Sequence, residues 1–439
     1  MLFRIWVQNP TDRILRLDKN CSLDLINYFM EYSDLHTTQR ASMLIHDQEP
    51  LLYRPQKKTW DEWRFTTSSF DDRMLILHSE QNSDELAEFC NEMQATSCHW
   101  FSNGALAHDW YHKIMWNLKS LGESHRPRLH YKFSCLNRLI NHTRCYRPVF
   151  SRILMTIVDH AYLRLSCSLT DPIDNIKSCD LRIPNRYQSL FHNLNMATPI
   201  TINIEENDLE LGRIKNQSFS TNISYFNKVF CHIATETLFT ESTLHLTEKS
   251  LRSFIHKRPM LLLGPPHSLS YLRSYGFKTF SDFWDESYDM IKDPWQRMEA
   301  VIELVKKIDK LTLDDMEDML DKMKPILDHN YRHFFYDFPD KIMNELISNM
   351  QSAITDIKAR KPNGWMLKYI ENFPEIDWKQ ALDGQLDEGI TSKEVYDSMS
   401  KGDNTKIRRN LARLLIYEMG FDKESSKKDI IARLHAILD

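Results

Sequence analysis

The stretch from Lys228 to Gly264, KVFCHIATETLFTESTLHLTEKSLRSFIHKRPMLLLG, holds the densest chemistry in the chain. Its first apolar run, Lys228–Ala234, reads as a strand that leaves Glu236 just past the carboxyl end. That is the edge at which open α/β sheets bind ligands. Thr247, Glu248 and Lys249 then open a helical pattern over Thr247–His256. Thr247 suits the N-cap and Glu248 in the first turn suits the helix dipole. The backbone N–H groups of that turn, with the Lys249 ammonium, form a site for pyrophosphate. Glu236 or Glu248 would accept hydrogen bonds from ribose hydroxyls. The plainer alternative is a capped helix with exposed charges, because such residues recur at most helix starts.

Other segments place polar groups at strand ends. Leu44-Ile45-His46-Asp47-Gln48-Glu49-Pro50 is a strand running into acidic residues, and His78-Ser79-Glu80-Gln81-Asn82 repeats the arrangement after Met74–Leu77. His46, Ser79 and Glu80 would then line one cleft. The run Trp100–Trp110, WFSNGALAHDW, offers Trp100 and Trp110 as an aromatic platform or, alternatively, as buried core. The acidic run Asp285–Asp289 precedes a helix, where capping is preferred over metal binding.

The elements that position these groups read as α/β. Leu2–Val7, Met43–Ile45 and Met74–Leu77 are apolar strands, with helical stretches near Leu23–Tyr32 and Asp84–Met93. This alternation predicts a parallel sheet covered on both faces, half of a doubly wound architecture. A second series follows: His130–Leu136, a helix near Arg144–Val158, Tyr162–Leu165, and then the 228–275 block. Gly264, Pro265 and Pro266 make a strand-to-helix turn. From Pro294 the pattern is almost entirely helical. The expected domains are an α/β acceptor unit over 1–125, an α/β donor unit over 126–345, a helical linker over 346–400 and a small helical module over 401–439.

Composition narrows the class. The 439 residues carry a formal charge of −5, so no global pull toward nucleic acid exists. The first residues lack a signal-peptide core and no apolar window reaches membrane-spanning length. The eight cysteines are scattered without a C-x-x-C pair, which points to reduced thiols and a cytoplasmic location.

The Lys228–Gly264 segment resembles the donor-binding motif of the α-1,3-fucosyltransferase family and related GT-B glycosyltransferases. There, a strand ending in Phe-Glu-Asn leads to Val-Thr-Glu-Lys, a helix, and a strand ending in Pro-Val-Val-x-x-Gly. Glu236 stands at the first Glu, Leu246-Thr247-Glu248-Lys249 at Val-Thr-Glu-Lys, and Pro259–Gly264 at the closing strand. Thr235 and Thr237 replace the flanking Phe and Asn, and the loop is longer. The resemblance implies a GT-B-like fold, two Rossmann-like domains with a cleft between them, and a C-terminal helical extension. It assigns Glu248 and Lys249 to the nucleotide of the donor.

Two further segments resemble the same family. Asn137 ends a strand before a helix bearing Arg144, Tyr146 and Arg147, as in the family's Val-Ser-Asn strand and Arg-x-x-Tyr helix start. The resemblance makes Arg144 the first choice for the diphosphate and Arg138 the second, a role suited to a guanidinium fork. Glu49-Pro50 aligns with a Glu-Ser-Pro whose glutamate is the suspected base, with Asp47 as competitor. An inverting transfer needs such a carboxylate near the acceptor hydroxyl.

The activity implied is sugar transfer from a nucleotide-sugar to a hydroxyl, with no cofactor beyond that co-substrate. No Asp-x-Asp follows a strand, which disfavours a metal-dependent GT-A enzyme. Residues 401–439 carry nine Lys/Arg against six Asp/Glu and resemble small SAP or HeH modules that bind DNA. Short blocks such as His-Asp-Gln-Glu-Pro resemble tailed-phage proteins, which would place the chain in a host cytoplasm. The acceptor expected is a hydroxymethylated base in duplex DNA. A surface glycan, or a non-catalytic protein on a GT-B scaffold, is the alternative.

Overall fold

Strands buried along their whole length need an uninterrupted apolar run, and the chain supplies two of them side by side. Val229–Thr235 and Met260–Leu263 are buried at every position, as parallel strands covered on both faces must be. The computed structural model describes residues 2–7, 40–46, 50–51, 53–54, 74–119, 128–137, 144–167, 184–192, 200–204, 226–359, 428–429 and 432. The expected helix near Leu23–Tyr32 and nearly all of 360–439 lie outside them.

The described strands are β1 (Leu2–Val7), β2 (Arg40–His46), β3 (Met74–His78), β4 (Ala95–His99), β5 (Tyr131–Asn137), β6 (Leu163–Cys167), β7 (Ile200–Ile202), β8 (Val229–Thr235) and β9 (Met260–Leu263). The helices are α1 (Asp84–Glu92), α2 (Ser102–Lys119), α3 (Tyr146–Ile157), α4 (Asn185–His192), α5 (Glu248–Ile255), α6 (Ser268–Ser274), α7 (Pro294–Asp309), α8 (Leu313–Tyr336) and α9 (Phe338–Ala359). The result is an α/β fold on a mainly parallel five-stranded sheet, followed by C-terminal helices.

The five-stranded sheet runs β7-β6-β5-β8-β9, with only β7 antiparallel. Strand order reverses at β5, since the chain first moves outward through β6 and later returns to place β8 on the other side. Right-handed crossovers then put α3 and α5 on opposite faces. Accordingly α3 packs with α4 and α7, and α5 with α2 and α8. The edge between β5 and β8 is therefore a topological switch point, where ligands settle in such sheets.

The four-stranded sheet is parallel in the order β1-β2-β3-β4. No strand reversal occurs among its described strands, so the doubly wound pattern expected here is found instead in the five-stranded sheet. β4, Ala95–His99, escapes a search for apolar runs because its sequence is Ala-Thr-Ser-Cys-His. Both faces of β3 are nevertheless covered. Met74 and Ile76 join Leu51, Tyr53, Leu86 and Phe89 in a small core on one side. Leu75 and Leu77 enter the main core on the other.

That second face is covered by α9, which runs unbroken across residues 345 and 346. Asn349 Nδ2 donates to the His99 carbonyl at 2.7 Å. Glu345 lies 3.6 Å from His99 Nδ1 and accepts from Tyr275 at 2.9 and 2.8 Å. Helix α2 approaches α9 so closely that a Cβ on Gly104 would stand 2.7 Å from the Phe338 ring.

Two readings need correction. Cys90, Cys98, Cys135, Cys167 and Cys231 are free, as reduced thiols would be, but Cys145 is disulfide-bonded. The acidic run does not prepare the helix after it. Asp289 accepts from Leu269 N and Ser270 N and so caps α6, while Asp293 caps α7. Among the described residues, no helix is long and apolar enough to cross a membrane. Gly104→Val should destabilise the protein by about 1–3 kcal/mol through overpacking of α2 on α9. A melting temperature equal to that of wild type would disprove this close approach.

Candidate anion site at the carboxyl edge of the five-stranded sheet

Parallel strands β5 and β8 end together, at Asn137 and Thr235, and hand the chain to a turn and a loop on the same edge. Helix α3 starts there with Arg144 and Cys145 just ahead of it. Tyr146 reaches across to β8, its hydroxyl donating to the Glu236 carbonyl at 2.6 Å. The Arg147 guanidinium donates to the Thr235 and Glu236 carbonyls at 3.0 and 2.8 Å. These bonds serve the carbonyls that β8 leaves open where it ends.

Glu236 is fully buried. Its Oε2 accepts from Thr247 N at 3.1 Å and from Thr247 Oγ1 at 2.7 Å, whereas its Oε1 is buried with no hydrogen-bond partner. Burial pushes the Glu236 carboxyl above its ordinary value, against the pull of Lys249 and the Thr247 bonds. Gly264 backs this carboxylate; a Cβ there would meet Glu236 Cγ at 3.4 Å and Ser268 Oγ at 2.9 Å.

Helix α5 enters beside it with Thr247 as N-cap residue. The expected side-chain cap is absent, because the Thr247 hydroxyl donates to Glu236 instead. Lys249 Nζ donates to Thr247 Oγ1 at 2.9 Å and stands 3.3 Å from Glu248 Oε1. A relay of ammonium, hydroxyl and carboxylate results. Burial lowers the Lys249 pKa; Glu248 and Glu236 raise it in part, while Arg147 and Arg144 lower it further. The Arg144 guanidinium is buried and donates to Thr237 Oγ1 at 3.4 Å.

Arg144, Glu236, Thr247, Glu248 and Lys249 therefore converge, and three cations stand among two carboxylates once Arg147 is included. Lys249 keeps 24% of its side chain exposed, against 8% for Glu248, so the ammonium is the member open to a ligand. Asn137 lies beneath this edge but bonds inward, to Thr235, Cys135 and Ser151. Arg138 lies outside the described residues. No protein-family model matches this chain, nor does any curated protein or solved structure.

The carboxyl edge of the four-stranded sheet faces the same region. His46, His78 and His99 occupy one row across it in register. Gln81 pairs with Leu244 through two backbone bonds of 2.9 and 2.8 Å, joining this edge to the loop that leads into α5. Ser79 Oγ lies 3.4 Å from His245 Nδ1. Glu80 is buried and accepts from the Leu51 backbone N–H, two residues after Glu49. Asp47 and Glu49 themselves lie outside the described residues.

Trp100 is buried in the main core and Trp110 packs against it, so neither stands as an open platform. Among the described residues no group of three His, Cys, Asp or Glu side chains is placed to hold a metal ion. A cavity of about 240 Å³ lined by Phe283, Trp284, Tyr288, Leu304, Ile308 and Met319 shares no lining residue with the charged cluster. Sequence reading missed Asn103 and His245 and gave Arg147 no role; only the spacing of Arg147 from Arg144 on one helix start offered a signal.

Desolvation pushes the Glu80 carboxyl from 4.5 up to about 7, partly offset by the Leu51 and Ser83 hydrogen bonds. A raised folded-state pKa contributes stability that is complete below pH 4.5 and is lost as pH rises through about 7. Wild type should lose at most about 3 kcal/mol across that window from this group. Glu80→Gln should flatten the loss in thermal melts at pH 5 and pH 8. An unchanged difference between the two pH values would show that Glu80 is not the source.

Proposed function

We propose that the protein is an inverting glycosyltransferase that takes a sugar from a nucleotide-sugar, metal-independent and GT-B-like in its two-unit plan. The observation that carries the proposal is the convergence of Arg144, Glu236, Thr247, Glu248 and Lys249 at the switch point of the five-stranded sheet. A buried cationic cluster with one accessible ammonium suits a diphosphate, whose charge it would balance on departure. The resemblance of Leu246–Lys249 to the fucosyltransferase donor motif points the same way. So does the junction at Gln81 and Leu244, where the carboxyl edges of the two sheets meet.

In the reaction, a carboxylate takes the proton of the acceptor hydroxyl as its oxygen bonds to the anomeric carbon. The bond from that carbon to the diphosphate breaks, and the electron pair leaves with the nucleotide. Glu49 is the assigned base and Asp47 its competitor. Lys249 and Arg144 stabilise the charge gathering on the leaving diphosphate. The acceptor in this proposal is a hydroxymethylated base in duplex DNA, engaged with help from residues 401–439. A second reading, an anion-binding protein without transfer, draws on Asn137 and Glu80, whose side chains bond within the protein. It differs in giving nucleotide binding with no turnover.

Calorimetric titration with a panel of nucleoside diphosphates and their sugars tests the donor site. Lys249→Ala should weaken the preferred nucleotide roughly 10- to 100-fold, the worth of a charge-assisted hydrogen bond, while the protein stays folded. Equal affinity in variant and wild type would remove Lys249 from the site. Glu49→Gln should leave nucleotide affinity intact and slow transfer by about 10²- to 10⁴-fold; a fully active variant would exclude Glu49 as base.

A further inference from the structure

The loop 236–247 joins β8 to α5, and its two ends are tied to each other by the bonds from Thr247 to Glu236. Between those ends it is held from two directions. Its first half belongs to the five-stranded sheet's surroundings. Phe239 stacks on Tyr146 with ring centroids 4.2 Å apart, and its carbonyl accepts from Arg297.

Its second half is held by the other sheet. Thr243 Oγ1 reaches the Asn82 carbonyl at 3.5 Å, and Leu244 pairs with Gln81. The His245 ring sits between Ser79 Oγ at 3.4 Å and Asn103 Nδ2 at 3.3 Å. An amide Nδ2 can only donate, so Nε2 accepts and the neutral ring carries its proton on Nδ1, toward Ser79.

Leu244, His245 and Leu246 are all buried, and two residues beyond His245 stands Thr247, on which both Glu236 and Lys249 bond. Helix α2 braces the same point twice, with Asn103 on His245 and with the Tyr111 hydroxyl 3.4 Å from the Glu248 carbonyl. Close-packed segments this short transmit displacement rather than absorb it.

We propose that His245 is a positioning residue that makes the grip of Thr247 and Lys249 on an anionic ligand depend on docking of the β3 edge. The inference rests on the donor-site reading above. It gives loop 236–247 the task of coupling the two sheet edges, so that the anion site is fully formed only while Ser79 and Asn103 hold the ring. His245 acts through Thr247 and touches no ligand itself.

The test titrates the full chain with inorganic pyrophosphate and with nucleoside diphosphates at a temperature well below unfolding. His245→Ala should raise the dissociation constant roughly 3- to 30-fold, the range found for residues that modulate coupling without ligand contact. Asn103→Ala, a milder change on another helix, should move it the same way, and His245→Gln, which keeps an acceptor for Asn103, should recover most of the affinity. Hydrogen exchange at 246–252 should quicken in His245→Ala with the rest of the five-stranded sheet protected as in wild type. Wild-type affinity in both alanine variants would overturn the positioning role while leaving the donor site standing. Failure of the wild-type protein to bind any of these probes would overturn the donor site, and the role of His245 with it.

Discussion

A carboxylate buried at the end of a strand is the constraint around which the candidate site is organised. An ionised carboxyl group without partners is strongly disfavoured in a protein interior. Glu236 meets that demand by drawing in both the backbone N–H and the hydroxyl of Thr247. The demand closes the twelve-residue loop 236–247 on itself and fixes where α5 begins. It also takes the Thr247 hydroxyl away from the cap and hands it to a relay that continues to Lys249. Arg147 and Tyr146 complete the arrangement by holding the carbonyls at the end of β8. One oxygen, Glu236 Oε1, is left buried without a partner, which marks the cluster as more than a structural joint.

The second organising demand is cover for the four-stranded sheet. Its strands follow one another without reversal, so right-handed crossovers leave one face to be covered from elsewhere. Helix α9 supplies that cover after the chain has built the other sheet, and it brings a polar network with it. Glu345 links His99 to Tyr275, and the Tyr271 hydroxyl lies 3.4 Å from His99 Nε2. Desolvation would raise the Glu345 carboxyl, but the bonds from His99 and Tyr275 prevail and hold it low. The same packing brings the carboxyl edges of both sheets to one region, with Leu244 and Gln81 as the seam.

Much of this was legible before the structure. Periodicity located β1, β3, β5, β8 and β9 to within a residue or two, since each is an apolar run between polar residues. The residues grouped as a donor site also lie together: Arg144 approaches Thr237, while Glu236, Thr247 and Lys249 form one chain of hydrogen bonds. Other residues were assigned outward roles that their partners preclude or reduce. Asn137 faces Ser151 and Cys135, Glu80 holds Leu51, and Trp100 is core. Residue type and strand-end position fit both an inward and an outward side chain, and only the packing tells them apart. His245 and Asn103 lie 142 positions apart, and no local pattern could pair them.

By itself, the sequence determined the alternation of strand and helix, the placement of charged residues past the ends of β5 and β8, and the grouping of Thr247, Glu248 and Lys249 at one helix start. These follow from periods and short-range rules that operate within a few residues. Tertiary structure decided which strands are neighbours, that strand order reverses at β5, that Thr247 serves Glu236 rather than its own helix, and that α9 returns to cover β3 and β4. Each of those outcomes depends on burying particular surfaces against partners distant in the chain. Burial energy is non-directional and carries no record of sequence separation.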